Sequence, residues 1–232
     1  MSEALPKDEL EFHEGDMPFS KRFGDHFYCR SDGRAECAHV FLDGNQMPER
    51  WKNCDSFVIG ELGFGTGLNF LETWRQWKQH RPEGSQLHFV SFEAYPMDLP
   101  SMKRAVSTWP EVQDELSALT KFWPSLTLMP TPWQMDDQTT LTLVVADVLD
   151  GVRNWSGDVD AWYLDGFAPS KNPDMWSLDL MQTLYDRSNS GATFASYTAA
   201  GWVRRNLAEA GFEVQKVPGF AGKREMIVGS KI

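Results

Sequence analysis

Residues 56–70, Ser-Phe-Val-Ile-Gly-Glu-Leu-Gly-Phe-Gly-Thr-Gly-Leu-Asn-Phe, constrain this chain more than any other stretch. The apolar run from Phe57 to Ile59 predicts a buried strand, Glu61 follows it, and glycines stand at 63, 65 and 67. Beyond them Leu68, Leu71, Trp74 and Trp77 recur at the spacing of one helix face. Strand, glycine turn and helix are the expected local structure. Alternate glycines let the backbone take positive φ and approach a bulky group closely. The helix start then points unpaired N–H groups at that group. The stretch reads as a nucleotide-cofactor turn, with a turn that serves packing alone as the alternative.

The glycine spacing narrows the choice of cofactor. Dinucleotide folds use G-x-G-x-x-G; here the pattern is G-x-G-x-G, with an acid two residues ahead of the first glycine. No Gly-Lys-Ser/Thr follows, which argues against a phosphate-cradling loop. The E-x-G-x-G-x-G form resembles the first motif of the Rossmann-like methyltransferases. That resemblance implies S-adenosylmethionine, a cofactor without phosphates, packed on the turn through its amino-acid part and ribose. Glu61, Gly63, Phe64, Gly65, Thr66, Gly67 and Asn69 are then cofactor-binding candidates.

Two more apolar runs end in acids. Leu87-His-Phe-Val-Ser-Phe-Glu93 is an expected strand, and in nucleoside-binding Rossmann-like folds an acid here accepts from ribose hydroxyls. Leu141-Thr-Leu-Val-Val-Ala-Asp147 is another, where the methyltransferase resemblance implies that Asp147 accepts from the adenine amino group. A solvated strand-end carboxylate is the alternative for both. A third stretch, Asp160-Ala-Trp-Tyr-Leu-Asp-Gly-Phe-Ala-Pro169, runs from strand residues straight into Asp165. Ligands of open α/β sheets bind beyond the carboxyl ends of the strands, so Asp165 is expected in the same crevice as Glu61. The Gly-Phe-Ala-Pro loop resembles the Asp/Asn-Pro-Pro-Tyr/Phe loop of amino-group methyltransferases, with Gly166 and Ala168 marking a different sub-family. A buried strand with an Asp-Gly turn is the bland alternative.

The rest of the chain is less informative. Residues 1–10 read as a frayed tail. From Phe12 to Trp51, the aromatic runs His26-Phe-Tyr-Cys29 and His39-Val-Phe-Leu42 alternate with turn signals, a hairpin-like pattern. Residues 1–55 are therefore expected to form a tail and a β-rich extension packed on a main domain of residues 56–232. Helical patterning covers 97–123, interrupted at Pro110, and a short strand is expected at 126–129. Asn172 is an expected N-cap of a helix to about Arg187, and Thr198 of one through Ala210. Phe212–Val217 and Glu225–Gly229 read as a closing strand pair. The ligand-type residues His26, Cys29, Cys37 and His39 fit no common zinc spacing, so no metal is expected. Three cysteines suit a reducing compartment. No apolar run approaches the roughly 18 residues of a membrane helix, so a cytoplasmic protein without a membrane partner is expected. The net charge of −11 argues against non-specific adhesion to nucleic acid, while leaving room for a local patch from Lys21-Arg22, Arg204-Arg205 and Lys223-Arg224.

Taken together, Glu-Leu-Gly-Phe-Gly-Thr-Gly-Leu-Asn-Phe, Ser-Phe-Glu, Asp-Ala-Trp-Tyr-Leu-Asp-Gly-Phe-Ala-Pro-Ser-Lys-Asn-Pro-Asp-Met-Trp and Gly-Phe-Ala-Gly-Lys-Arg-Glu-Met resemble the methyltransferase part of the MnmC family. The likeness runs from about residue 12 to residue 230 and includes Val-Phe-Leu-Asp-Gly-Asn-Gln. It implies an α/β, Rossmann-like class I S-adenosylmethionine-dependent methyltransferase. Its sheet would be mostly parallel and seven-stranded, with helices on both faces. The implied reaction methylates the amine of 5-aminomethyl-(2-thio)uridine at the tRNA wobble position. No FAD site is expected in this chain; an FAD-dependent oxidase or another enzyme would supply the amine. The expectation is a stand-alone methyltransferase or one domain of a longer enzyme. Asp165, Phe167 and Pro169 are the expected catalytic residues, Asp165 touching the cofactor too. Asn45, Gln46, Lys171, Tyr197, Arg204, Arg205, Lys223 and Arg224 are the expected contacts to the anticodon loop. Methylation of a small cationic amine is the competing expectation, and an acidic protein would suit it.

Overall fold

The computed structural model describes residues 5–29 and 31–232. Its strands are β1 (Leu10–His13), β2 (Met17–Ser20), β3 (Asp25–His26), β4 (Ser56–Leu62), β5 (Gln86–Phe92), β6 (Pro132–Asp136), β7 (Thr139–Val144), β8 (Val159–Tyr163), β9 (Ser188–Ser196), β10 (Glu213–Val217) and β11 (Met226–Ser230). Its helices are α1 (Gly33–Cys37), α2 (Leu68–His80), α3 (Leu99–Val106), α4 (Gln113–Phe122), α5 (Val148–Asn154), α6 (Leu178–Asp186) and α7 (Gly201–Ala210).

One sheet of eight strands, ordered β10-β11-β9-β8-β4-β5-β7-β6, carries the fold. Its middle, β9-β8-β4-β5-β7, is parallel, and β11, β10 and β6 join antiparallel. Parallel strands need covering on both faces, and two buried clusters supply the cover. One gathers α2, α3, α4 and residues 37–51 against Phe57, Ile59 and Tyr163. The other gathers α5, α6 and α7 against Leu62, Trp162 and Phe194.

Eight strands replace the seven expected. The extra one is β6, where Trp133 and Met135 are buried and Gln134 is exposed, the period-2 pattern of an edge strand. Residues 126–129, expected as a strand, pair with nothing regular; Leu128 and Met129 are exposed. The expected helical stretch after Asn172 is a short 3₁₀ turn, and the helix proper starts at Leu178, capped by Ser177, whose Oγ accepts from the Leu180 N–H at 3.3 Å. The helix expected from Thr198 starts at Gly201.

The amino-terminal segment departs most from expectation. Its hairpin is β1–β2, with β3 as a third antiparallel strand. His39–Leu42, expected as a strand, is helical: Asp32 caps α1 through the Ala35 N–H, and the chain continues as a π turn that buries Val40, Phe41 and Leu42 in a row. Within the expected tail, residues 1–4 lie outside the described residues, while Asp8 reaches the central cleft and Leu10 opens β1. No helix among the described residues is long and apolar enough to cross a membrane.

Candidate active site

A cleft of about 750 Å³ opens at the carboxyl ends of the parallel strands, a size typical of small-molecule sites. Its floor is the turn from β4 to α2. Gly65 has φ +54°, which favours glycine, and a Cβ there would lie 3.1 Å from the Phe27 ring, a tight contact. Gly67 takes φ +77° as the residue preceding α2. The Gly63 N–H donates to Phe92 O at 2.8 Å, the Gly65 N–H to Glu93 Oε2 at 2.9 Å and the Gly67 N–H to Phe64 O at 2.8 Å. The three glycine amides are thus engaged within the protein. A pyrophosphate would meet the Glu93 carboxylate there rather than free N–H groups.

Four carboxylates surround the turn. Glu93 also accepts the Tyr95 N–H at 2.7 Å, and burial pushes its pKa above the usual carboxylate range. Asp147 caps α5, accepting the Leu149 N–H at 3.0 Å, and is exposed at the cleft wall. Asp165, two residues beyond β8, accepts from Asn69 Nδ2 at 2.7 Å and from the Gly166 N–H at 2.8 Å. Burial outweighs those bonds and lifts it to about 7. Glu61 is fully buried and accepts from Ser91 Oγ at 2.6 Å, with its other oxygen unpartnered. Desolvation pushes it well up. It lies beneath the turn and does not line the cleft.

The other sequence candidates divide. Gly63, Phe64, Gly65, Thr66 and Asn69 line the cleft, as do Phe167 and Tyr197. Tyr197 Oη donates to Gly166 O at 2.8 Å, which fixes the loop after Asp165. Gly67 and Pro169 stand behind the wall, Pro169 buried. Asn45, expected at the RNA, is fully buried: its Nδ2 donates to Phe41 O and Trp162 O, and its Oδ1 accepts from Thr193 Oγ1 at 2.6 Å. Gln46 is exposed outside the cleft in the left-handed conformation. Lys171 donates to Gly24 O. Arg204 and Arg224 lie near Glu225, Arg205 is exposed on α7, and Lys223 pairs with Glu36. The basic pairs therefore do not converge inside the cleft. His26, Cys29, Cys37 and His39 do not cluster either: Cys37 faces Asn69 O and His39 faces Pro218 O. The described residues hold no group of metal-ligating side chains.

The roof of the cleft was not among the site residues expected from the sequence. The segment from Ser20 to Phe27 crosses the cleft as a strap fastened at both lips. Arg22 lies 4.2 Å over the Tyr95 ring at one lip. At the other, Phe23 stacks on Phe167 at 4.6 Å, Phe27 meets it edge-on at 5.1 Å, and Asp25 accepts the Ala168 N–H at 3.1 Å. Asp8 adds a carboxylate oxygen, buried and unpartnered. The aromatic density of residues 19–28 was visible in the sequence; its destination, some 40 residues downstream at the glycine turn and about 140 at Phe167, was not.

A family model of S-adenosyl-L-methionine-dependent methyltransferases matches residues 110–232. The chain belongs to this family. The bifunctional protein MnmC of Chromohalobacter salexigens, named for tRNA 5-methylaminomethyl-2-thiouridine biosynthesis, is 42% identical over 97% of this chain and 33% of its own length. Its counterpart in Methylobacillus flagellatus is 44% identical over 95% of this chain and 34% of its own. The chain spans about one third of the length of these curated relatives. The crystal structure of MnmC2 from Aquifex aeolicus superposes with a TM-score of 0.77 over 99% of this chain and 72% of that one, at 19% identity, and shares the fold. The fold is thus the Rossmann-like class I methyltransferase fold. The cleft fits the family's cofactor: its turn has no open phosphate nest, and its wall offers acceptors for hydroxyl and amino groups at Glu93, Asp147 and Asp165.

Proposed function

We propose that this chain transfers one methyl group from S-adenosylmethionine to the exocyclic amine of 5-aminomethyl-(2-thio)uridine at the tRNA wobble position. The observation that carries this reading is the seating of Asp165, held by Asn69 of α2 and facing a cleft floored by the glycine turn. The names of the one-third-matched relatives support the choice of RNA base.

In this reading Glu93 accepts from the ribose, Asp147 accepts from the adenine amino group, and residues 63–66 with Asn69 pack on the amino-acid part. The cofactor, when bound, supplies a methyl group on a sulfonium. The work left to the protein is positioning and proton handling. An aminomethyl group arrives protonated at neutral pH and needs a free lone pair to attack. Asp165, lifted to about 7, holds that ammonium and takes its proton. Each of its oxygens receives one protein hydrogen bond and retains a further acceptor site. With the cofactor bound, the new N–C bond would form at the expense of the methyl–sulfur bond. Phe23, Phe27 and Phe167 exclude water from the path. Glu61 supports the turn from below through Ser91. Arg22, with Lys171, Arg204, Arg205 and Arg224 farther out, meets the phosphates of the anticodon loop, whose wobble base is splayed into the cleft. The amine is supplied by another enzyme or by the remaining two thirds of a longer protein.

The test is transfer of label from S-adenosylmethionine to tRNA that carries the aminomethyl group. Label in the wobble nucleoside, lost in Asp165→Ala, is expected. A small cationic amine as substrate is the second reading, favoured by the acids Asp8, Glu36 and Asp174 along the cleft. It predicts labelled small amine, unlabelled RNA, and no salt-dependent RNA affinity.

A further inference from the structure

The sequence groups Lys223 with the RNA-facing cations; its surroundings give it other work. Ile227 of β11 pairs with Ser196, the last residue of β9. The loop of residues 218–225 between β10 and β11 therefore lies at the carboxyl edge of the parallel strands, beside Asp165. It is docked on the helical segment after α1: His39 Nε2 is 3.1 Å from Pro218 O, and the rings of His39 and Phe220 are 5.9 Å apart. From this loop Lys223 Nζ donates to Glu36 Oε1 at 2.7 Å and lies 4.8 Å from the centroid of the Tyr197 ring. Glu36 is 9% exposed and lines the cleft, its other oxygen accepting the Cys29 N–H at 3.0 Å. Tyr197 in turn holds Gly166 O, next to Asp165. Pulling Lys223 out to a phosphate would strand the Glu36 carboxylate, an expensive loss for a nearly buried charge.

We propose that Lys223 is a positioning residue of the methyl-transfer site, which, anchored by Glu36, keeps Asp165 a carboxylate when the substrate amine arrives, and that it does not contact RNA. This deepens the reading above and rests on Asp165 acting as there described.

The charge balance around Asp165 explains why such a residue is needed. Glu61 faces it from β4, Glu36 and Cys37 from α1, and Tyr197 from the end of β9; Asp25 of the strap acts on Tyr197 and accepts the Ala168 N–H, and Asn69 of α2 is neutral. Of these groups and Lys223, Lys223 alone is a cation. Burial does most to raise Asp165; Glu36 adds to it, and Lys223 offsets part of that rise. An Asp165 protonated through the physiological range could neither hold an ammonium nor take its proton. A cation close by shifts the balance toward the ionised form.

The experiment is single-turnover methylation of aminomethyl-tRNA across pH 5.5–9 (a range of about three units around the titration), with tRNA affinity measured against salt. Lys223→Met is the test variant, and Lys223→Arg keeps the charge. The side chain is 43% exposed, so both should fold; cofactor affinity checks this. Removing the cation raises the pKa of Asp165, so the acid limb should move up by several tenths to about one unit. The rate at pH 6.5 should fall about two- to tenfold while the rate at pH 9 is retained. Lys223→Arg should restore the wild-type limb. The slope of log affinity against log salt should stay unchanged, whereas losing a phosphate contact on a single strand would reduce it by about 0.7. An acid limb that does not move, or a salt slope that falls, overturns the proposal. Asp165→Asn is run beside them: an acid limb that persists there would instead remove Asp165 from its role and leave the question of RNA contact to the salt slope.

Discussion

The two sides of the cleft are built in opposite ways. The floor is contiguous: β4, the glycine turn and α2 lie within residues 56–80, and Glu93 closes the turn from the neighbouring strand. Its glycines are required by backbone angles, and its hydrogen bonds to Phe92 and Glu93 reach only the adjacent strand β5 and the residue after it. The roof is assembled from afar. The strap of residues 20–27, Tyr95, Phe167 and the loop bearing Lys223 meet only because the sheet brings strand ends together. The contrast matches the two jobs proposed for the cleft. Holding a constant cofactor suits a rigid local motif, whereas presenting a substrate to it can be left to loops whose contacts cross the sequence.

Substitutions on each side should act on different steps. The largest effect is expected at the point where the two meet. Asp165→Asn should slow methyl transfer at least about a hundredfold with cofactor affinity changed far less, as isothermal titration would show. In the wild type the rate should fall about tenfold per unit once pH drops below about 7, because Asp165 is lifted to about 7 and the proposed mechanism uses its carboxylate form. A flat profile between pH 5.5 and 8 (on the order of two units of titration) would remove it from the proton path.

Floor substitutions should strike cofactor binding. Glu93→Gln removes the charge from an acceptor that also holds two backbone N–H groups. A charge-assisted hydrogen bond is worth about 1.5–3 kcal/mol, so affinity for S-adenosylmethionine should weaken roughly ten- to a hundredfold. Gly65→Ala places a side chain at φ +54° and 3.1 Å from Phe27, at about 1–3 kcal/mol. It should weaken the cofactor and lower the melting temperature together; an unchanged affinity would mean that the floor is not the cofactor seat.

Roof substitutions should spare the cofactor. Phe23→Ala removes the ring stacked on Phe167, a contact of about 0.5–1.5 kcal/mol. KM for tRNA should rise a few-fold, with cofactor affinity retained. If cofactor binding falls equally, the strap belongs to the floor's task. The smallest functional effect is expected at Asn45, although the sequence nominates it for RNA. Asn45→Ala should cost about 1–3 kcal/mol of stability through its lost buried hydrogen bonds, and leave RNA affinity untouched.

What the sequence determined by itself was whatever is encoded in short-range pattern. Alternating glycines after an apolar run demand a turn at a strand end, and acids at three strand ends have to gather at the carboxyl edge of a parallel sheet. That gave the fold class, the floor of the cleft and the place of Asp165. The structure alone decided everything that depends on partners distant in the chain. The run His39–Leu42 looked like a strand because its residues are apolar and aromatic, yet capping by Asp32 and burial of three consecutive side chains made it helical. Asn45 was nominated through the Asp-Gly-Asn-Gln stretch of the family likeness, and tertiary hydrogen bonds took it into the core. Lys223 looked like a phosphate contact because it is a cation beside an arginine, and a carboxylate 187 residues away claimed it. A residue's type sets which bonds it can make; only the folded chain sets which partner is within reach.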